Sequence, residues 1–202
     1  MKKLILVLSA ATVLAGTTTL YAGDTLDKPG KFDEEEILAT QRLGTQYDSI
    51  VVRDYSTKGA ELSNIDDEEK KYLDQDKADI VKALTSSTVK HLQEKKLFKH
   101  VSENGTAKGK ALILQGKIVK FNGGVGAAKY FLGFMAPKST KTNISIEAEL
   151  VDAATGKPLA KIKDVRSGGE GNTLGSSNMT KAFKVQAEDE GEELAEFIEA
   201  LY

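Results

Sequence analysis

Between residues 68 and 97 the apolar positions are Leu73, Ile80, Leu84, Thr88 and Leu92, with Val81 beside them. Steps of seven and then four residues keep one helical face, so a long amphipathic helix is predicted from Glu68 to about Leu97. Its start is marked by Asn64 or Asp66 as cap with acids in the first turn, and its end by Lys95-Lys96, which suits the negative end of the helix dipole. A second stripe, Leu194, Phe197, Ile198 and Leu201, extended backwards through Ala187 and Phe183, predicts a helix over 180–201 with an acidic opposite face.

Other stretches carry the period of a strand. Residues 49–55 are rich in β-branched side chains, and 98–102 is a short candidate. Ala111 to Phe121 is a strong one, opened by the turn Asn104-Gly105 and broken by Asn122-Gly123-Gly124. Over 142–152, Ile144, Ile146, Ala148 and Leu150 alternate with Ser145, Glu147 and Glu149, the pattern of a half-buried antiparallel strand. A turn at 153–158 leads to Leu159–Arg166, which predicts a hairpin. Residues 33–36 are expected to open a short helical turn, and the glycine-rich stretch 167–177 to form a mobile loop. Two helical stripes and hairpin-linked strands are buried together most simply in a two-layer α/β (α+β) sandwich. Its sheet is mixed or mainly antiparallel, with both main helices on one face.

The opening residues follow a different logic. Met1-Lys2-Lys3 is basic, Leu4–Leu14 is an apolar run, and small residues lead to Ala22-Gly23. This predicts a secretory signal peptide over 1–22, too short to span a bilayer, which needs about 20 apolar residues. Residues 23–36 then read as a flexible leader and 37–202 as a single domain. Leu14-Ala15-Gly16 resembles a lipobox, but Thr17 stands where a lipid-bearing Cys is required, so a lipid anchor is not expected. No later stretch reaches membrane-spanning length. The expected location is the periplasm or the exterior.

Composition narrows the chemistry. The chain of 202 residues has no Cys, which excludes disulfides, thiolate metal sites and Cys nucleophiles, and only two His, His91 and His100. Net charge is −2, and removal of the first 22 residues takes away Lys2 and Lys3 and brings it to −4, so a nucleic-acid partner is not expected. Gly123, Gly124 and Gly126 follow a strand, yet the spacing of a phosphate loop is missing, and a backbone bend is the reading. His91 and His100 read as boundary and surface residues. The acidic runs 66–69 and 188–193 read as solvated helix ends, lacking the spacing of a calcium loop. Glu147 and Glu149 share a strand face, and an outward face is expected over a glycosidase pair. No catalytic, metal or cofactor residue is predicted. The remaining candidate is the aromatic segment 130–137: Tyr130 and Phe134 share a face if it is helical, as do Phe131 and Met135. It is either core or an exposed patch that docks a partner or touches lipid.

From Gly116 to Gly156 the sequence runs through a strand ending in a glycine bend, an aromatic-glycine segment and an alternating strand closing in Asp152, Thr155 and Gly156. In this it resembles the bacterial envelope proteins of domain-of-unknown-function family 4410, over roughly residues 35–202. The resemblance implies export and an α/β fold, and members commonly carry lipoprotein features, from which Thr17 departs. It brings no catalytic residues. The expected function is that of a non-enzymatic envelope domain that binds another envelope protein or assembles at the membrane surface. A small-ligand-binding periplasmic protein, with the loops at 122–126 and 167–175 as its mouth, is the alternative, and a hydrolase using His91 and acids comes third.

Overall fold

The computed structural model describes residues 25–124, 141–167 and 176–202, with side chains of the last segment described from Met179 onward. The expected signal peptide, the segment 130–137 and most of the loop 167–177 lie outside the described residues.

The strongest local signal forms the longest element, α1 (Asp67–Lys95). Asp66 caps it by accepting hydrogen bonds from the backbone N–H of Glu68 (2.9 Å) and Glu69 (2.8 Å). The Glu69 carboxylate accepts from Asp66 N–H in return, completing a capping box. Lys96 ends the helix in the left-handed region at φ 55°. The final helix, α2 (Ser176–Leu201), lies against α1 and buries Phe183, Leu194, Phe197, Ile198 and Leu201. Where the two helices cross, Gly191 admits α1: a Cβ there would lie 2.8 Å from the Leu84 carbonyl oxygen and 2.8 Å from the Thr88 amide nitrogen.

Among the described residues seven strands form one mixed sheet: β1 (Glu34–Ile37), β2 (Ser49–Val52), β3 (Glu61–Ser63), β4 (His100–Glu103), β5 (Ala111–Asn122), β6 (Asn143–Asp152) and β7 (Pro158–Ser167). The lateral order is β1-β7-β6-β5-β2-β4, with β3 continuing along β5 beyond β2. The β5-β6-β7-β1 half is antiparallel, whereas β2 runs parallel to β4 and β5, and β3 parallel to β5. The predicted mixed sheet with both helices on one face is therefore the observed architecture.

Three details differ from the expectation. Residues 33–36, expected as a helical turn, lead into and form most of β1: Glu35 and Ile37 turn inward and Glu34 and Glu36 outward, and antiparallel pairing with β7 supplies the ladder that a helix would have supplied internally. The boundary drawn at 36/37 falls inside this strand. Just before it, Phe32 stacks on Phe197 at a ring separation of 5.3 Å, and Glu35 accepts the amides of Gly30, Lys31 and Phe32. The third is β3, a short strand that had no period of its own to announce it.

One face of the sheet carries the core. Ile50, Val52, Leu112, Leu114, Ile118, Ile144, Ile146 and Leu150 pack with the helix stripes into one hydrophobic cluster, in which Phe121 meets Phe183 edge to face at 5.3 Å. Among the described residues no helix is long and apolar enough to cross a membrane.

Candidate functional site

Because β6 alternates over 144–150 and β7 over 160–164, burial of Ile146, Ala148 and Ile162 against the helices forces Glu147, Glu149, Lys161 and Lys163 to the opposite face. Register then aligns them across strands. Glu34 of β1 pairs with Lys163 of β7, Lys163 with Glu147 of β6, and Glu147 with Lys117 of β5. Two residues along, Glu36 pairs with Lys161, Lys161 with Glu149, and Glu149 with Gln115. The outer face thus bears two transverse rows, one reading acid, base, acid, base and the other acid, base, acid, amide. At about 3.4 Å per residue the rows lie roughly 7 Å apart.

Direct contacts hold the rows. Lys163 Nζ lies 3.1 Å from Glu34, Lys161 Nζ 3.3 Å from Glu36 and Lys117 Nζ 2.9 Å from Glu147, while Gln115 Nε2 donates to Glu149 at 2.7 Å. The hydrogen bond to Glu34, with that carboxylate's charge and the charge of Glu147 added, holds the Lys163 ammonium above its ordinary pKa. Between the rows runs a groove of about 540 Å³, floored by Gly116, Ala148 and Ile162 and closed at one end by Arg53, Asp54 and Ser56. Both helices pack on the other face of the sheet, so among the described residues this face has no helical cover. Its chemistry is that of paired charges. Ser56 Oγ is engaged by the amide of Lys58 at 3.2 Å, and neither His lines the groove.

A second polar cluster lies inside the fold. Glu190, on the apolar side of α2, is wholly buried and accepts from Arg166 Nε at 2.8 Å. Asp164 stands 3.3 Å from the same guanidinium and Glu193 at 4.0 Å. Arg166 thus meets three carboxylates, of which Glu193 also has Lys31 Nζ at 3.6 Å. Burial, and then the negative charge of Asp164, push the Glu190 carboxyl up to about 8 against the opposing pull of Arg166. The nearby Tyr55 hydroxyl is also buried, which together with the charge of Glu190 raises it above the usual phenol range. Among the described residues neither Tyr55 Oη nor Glu190 Oε1 has a hydrogen-bond partner. The acidic run 188–193, expected to be solvated throughout, is therefore broken at Glu190. The spacing of Phe183, Ala187, Glu190 and Leu194 was the available sign, since three- and four-residue steps put Glu190 on the buried stripe.

The other sequence candidates resolve into structure. Glu147 and Glu149 face outward, as expected. His91 bridges the helices at their edge, its Nδ1 3.2 Å from Glu94 and its Nε2 4.0 Å from Glu192 of α2. His100 is exposed on the edge strand β4. The acids at 66–69 are the cap of α1. Of the glycine loop, Gly123 N–H donates to the Ser63 carbonyl and Gly124 N–H to Asn122 Oδ1, so both amides are spent internally. A Cβ on Gly123 would come within 2.2 Å of the Asn64 carbonyl oxygen, which gives that glycine its reason. Asp152 accepts from the amides of Ala154 and Thr155, both at 2.8 Å, and Gly156 takes φ 70°. The Asp-x-x-Thr-Gly ending is thus the mould of the β6–β7 turn. Tyr47 donates to Asp152 at 2.8 Å; this bond, followed by the turn amides, holds the carboxyl below its usual range, while burial, then Asp152, push the phenol up to about 12. Tyr130, Phe131, Phe134 and Met135, the proposed partner contact, lie outside the described residues.

No curated protein matches the chain. Among solved structures it is similar to a point variant of the PelC dodecamer from Paraburkholderia phytofirmans, with a TM-score of 0.40 at 11% identity, covering 80% of this chain and 94% of that one. A second PelC dodecamer structure from the same organism gives a TM-score of 0.38 at 13% identity, covering 74% and 89%. Protein XCC0632 from Xanthomonas campestris, of family DUF330, gives 0.43 at 10% identity, covering 73% and 82%. The sequence model of the family described as "Domain of unknown function (DUF4410)" matches residues 50–172, more than half of the chain, and the protein belongs to that family.

Proposed function

We propose that the protein is an exported, non-enzymatic domain of the cell envelope that works by docking another protein on the open face of its sheet. The observation that supports this is the pair of register-matched charged rows flanking a groove on a face that has no helical cover among the described residues. Exposed ion pairs contribute only about 0–1 kcal/mol each to stability, so the rows add little to holding the sheet together. Their alternation suits recognition, because it attracts a complementary pattern and repels a shifted one. Export is supported by the basic, apolar and small-residue order of residues 1–22. The groove also favours a second reading, a small polar ligand held between the rows. A ligand that binds only the folded state would raise the melting temperature in a thermal-shift screen.

The absence of cysteine permits a clean test. Single variants Glu147→Cys, in the groove, and Lys71→Cys, on the exposed side of α1, are labelled in intact cells with a maleimide that does not cross the inner membrane. The expected result is that Lys71→Cys reacts without cell lysis, that Glu147→Cys is protected there, and that both react alike in dilute purified protein. Labelling of Lys71→Cys only after lysis would overturn export. Equal reactivity at both positions in the cell would overturn docking on this face.

A further inference from the structure

We infer that the occupant of the open face is a second copy of the same chain, related by a two-fold axis parallel to the strands and passing between β7 and β6. This rests on the docking reading above and names its partner. The first row reads Glu34, Lys163, Glu147, Lys117 across β1, β7, β6 and β5. A row of four alternating charges changes sign at every position when it is reversed. A two-fold axis through its middle, parallel to the strands, performs that reversal while keeping each row opposite itself. Glu34 then faces Lys117 of the second copy, and Lys163 faces the second copy's Glu147, so all four contacts are attractive. The second row obeys the same rule at its centre, where Lys161 faces the other copy's Glu149, and at its ends Glu36 meets the neutral Gln115.

Two sheets with nearly aligned strands are an ordinary packing, and such an interface is isologous, as two-fold symmetry requires. A displacement by one strand sets like charges against each other, so the lateral register of the dimer is specified as well as its existence. The pairs are solvent-exposed and individually weak, so the association is salt-sensitive and reversible.

The test uses two charge reversals and their mixture. Lys163→Glu alone sets acid against acid at two symmetry-related contacts, and Glu147→Lys alone sets base against base at two. Mixed in equal amounts, the two variants present only attractive contacts to each other. Sedimentation analysis at low ionic strength is expected to show self-association of the wild-type protein, weakened on the order of tenfold or more in each variant. The equimolar mixture should recover it. Circular dichroism checks that each variant is folded, and Glu34→Lys with Lys117→Glu forms a second complementary pair should either fail that check. A mixture that stays monomeric, or single variants that associate like wild type, would overturn the inference. A wild-type protein that is monomeric throughout, but protected at position 147 in cells, would also overturn it while leaving the docking reading in place with a different protein as occupant.

Discussion

Alanine in place of glycine within a helix normally stabilises by roughly 0.5–1 kcal/mol, because glycine loses more backbone freedom on folding. At Gly191 the opposite sign is expected. A Cβ there would lie 2.7 Å from Ser87 Cβ, 2.8 Å from the Leu84 carbonyl oxygen and 2.8 Å from the Thr88 amide nitrogen. Two of those three neighbours are backbone of α1, which cannot turn aside as a side-chain tip could. The helices must separate, and the Ser87 hydroxyl must loosen its 2.7 Å hydrogen bond to the Glu188 carbonyl. Overpacking of this kind costs about 1–3 kcal/mol, and subtraction of the helix-propensity gain leaves a net loss centred on about 1 kcal/mol and reaching about 2.5 kcal/mol. In a protein of this size the central value lowers the melting temperature by roughly 2–4 °C. Urea unfolding of Gly191→Ala should show a lower midpoint with an unchanged slope. A variant as stable as wild type, or more stable, would mean that the helices do not cross at this glycine.

The interior cluster gives two further expectations. The Glu190 carboxyl is raised to about 8 in the fold against an ordinary 4.5, so the folded state binds more protons than the unfolded chain between those values. The contribution of Glu190 to stability should therefore be full below about pH 4.5, fall as pH rises through this window, and level off above about 8, with an upper bound of roughly 5 kcal/mol on the loss. Unfolding midpoints measured across that range should flatten in Glu190→Gln, and equal pH dependence in variant and wild type would contradict the assignment. Tyr55→Phe removes a buried hydroxyl without a partner and should be neutral or stabilising by up to about 1 kcal/mol. A clear loss in the unfolding midpoint would show that the hydroxyl is hydrogen-bonded in solution.

Local pattern carried the elements that announce themselves. The stripe from Leu73 to Leu92 has one solution, and so does the alternation from Ile144 to Leu150, because each commits a whole face to the core. The parallel pairing of β2 with β4 and β5 was not readable, since no residue within 49–52 distinguishes parallel from antiparallel neighbours. Nor was β1: two of its four residues are outward acids, which have low strand preference, and only the lysines of β7 opposite make them favourable. The charged face was half visible. Glu147 and Glu149 were expected to point outward, but the rows exist only once register places Lys163 beside Glu147 and Glu34 beside Lys163. Glu190 was lost among its acidic neighbours, although its place on the Phe183–Leu194 stripe marked it for burial.

The proposal that the open face is a self-complementary docking surface is tested most directly by the sedimentation of the wild-type protein as salt is varied at fixed concentration. A dimer at low ionic strength that dissociates toward about 1 M salt, where the screening length is about 3 Å, is the expected result. A monomer at every salt concentration, or a dimer indifferent to salt, would contradict it.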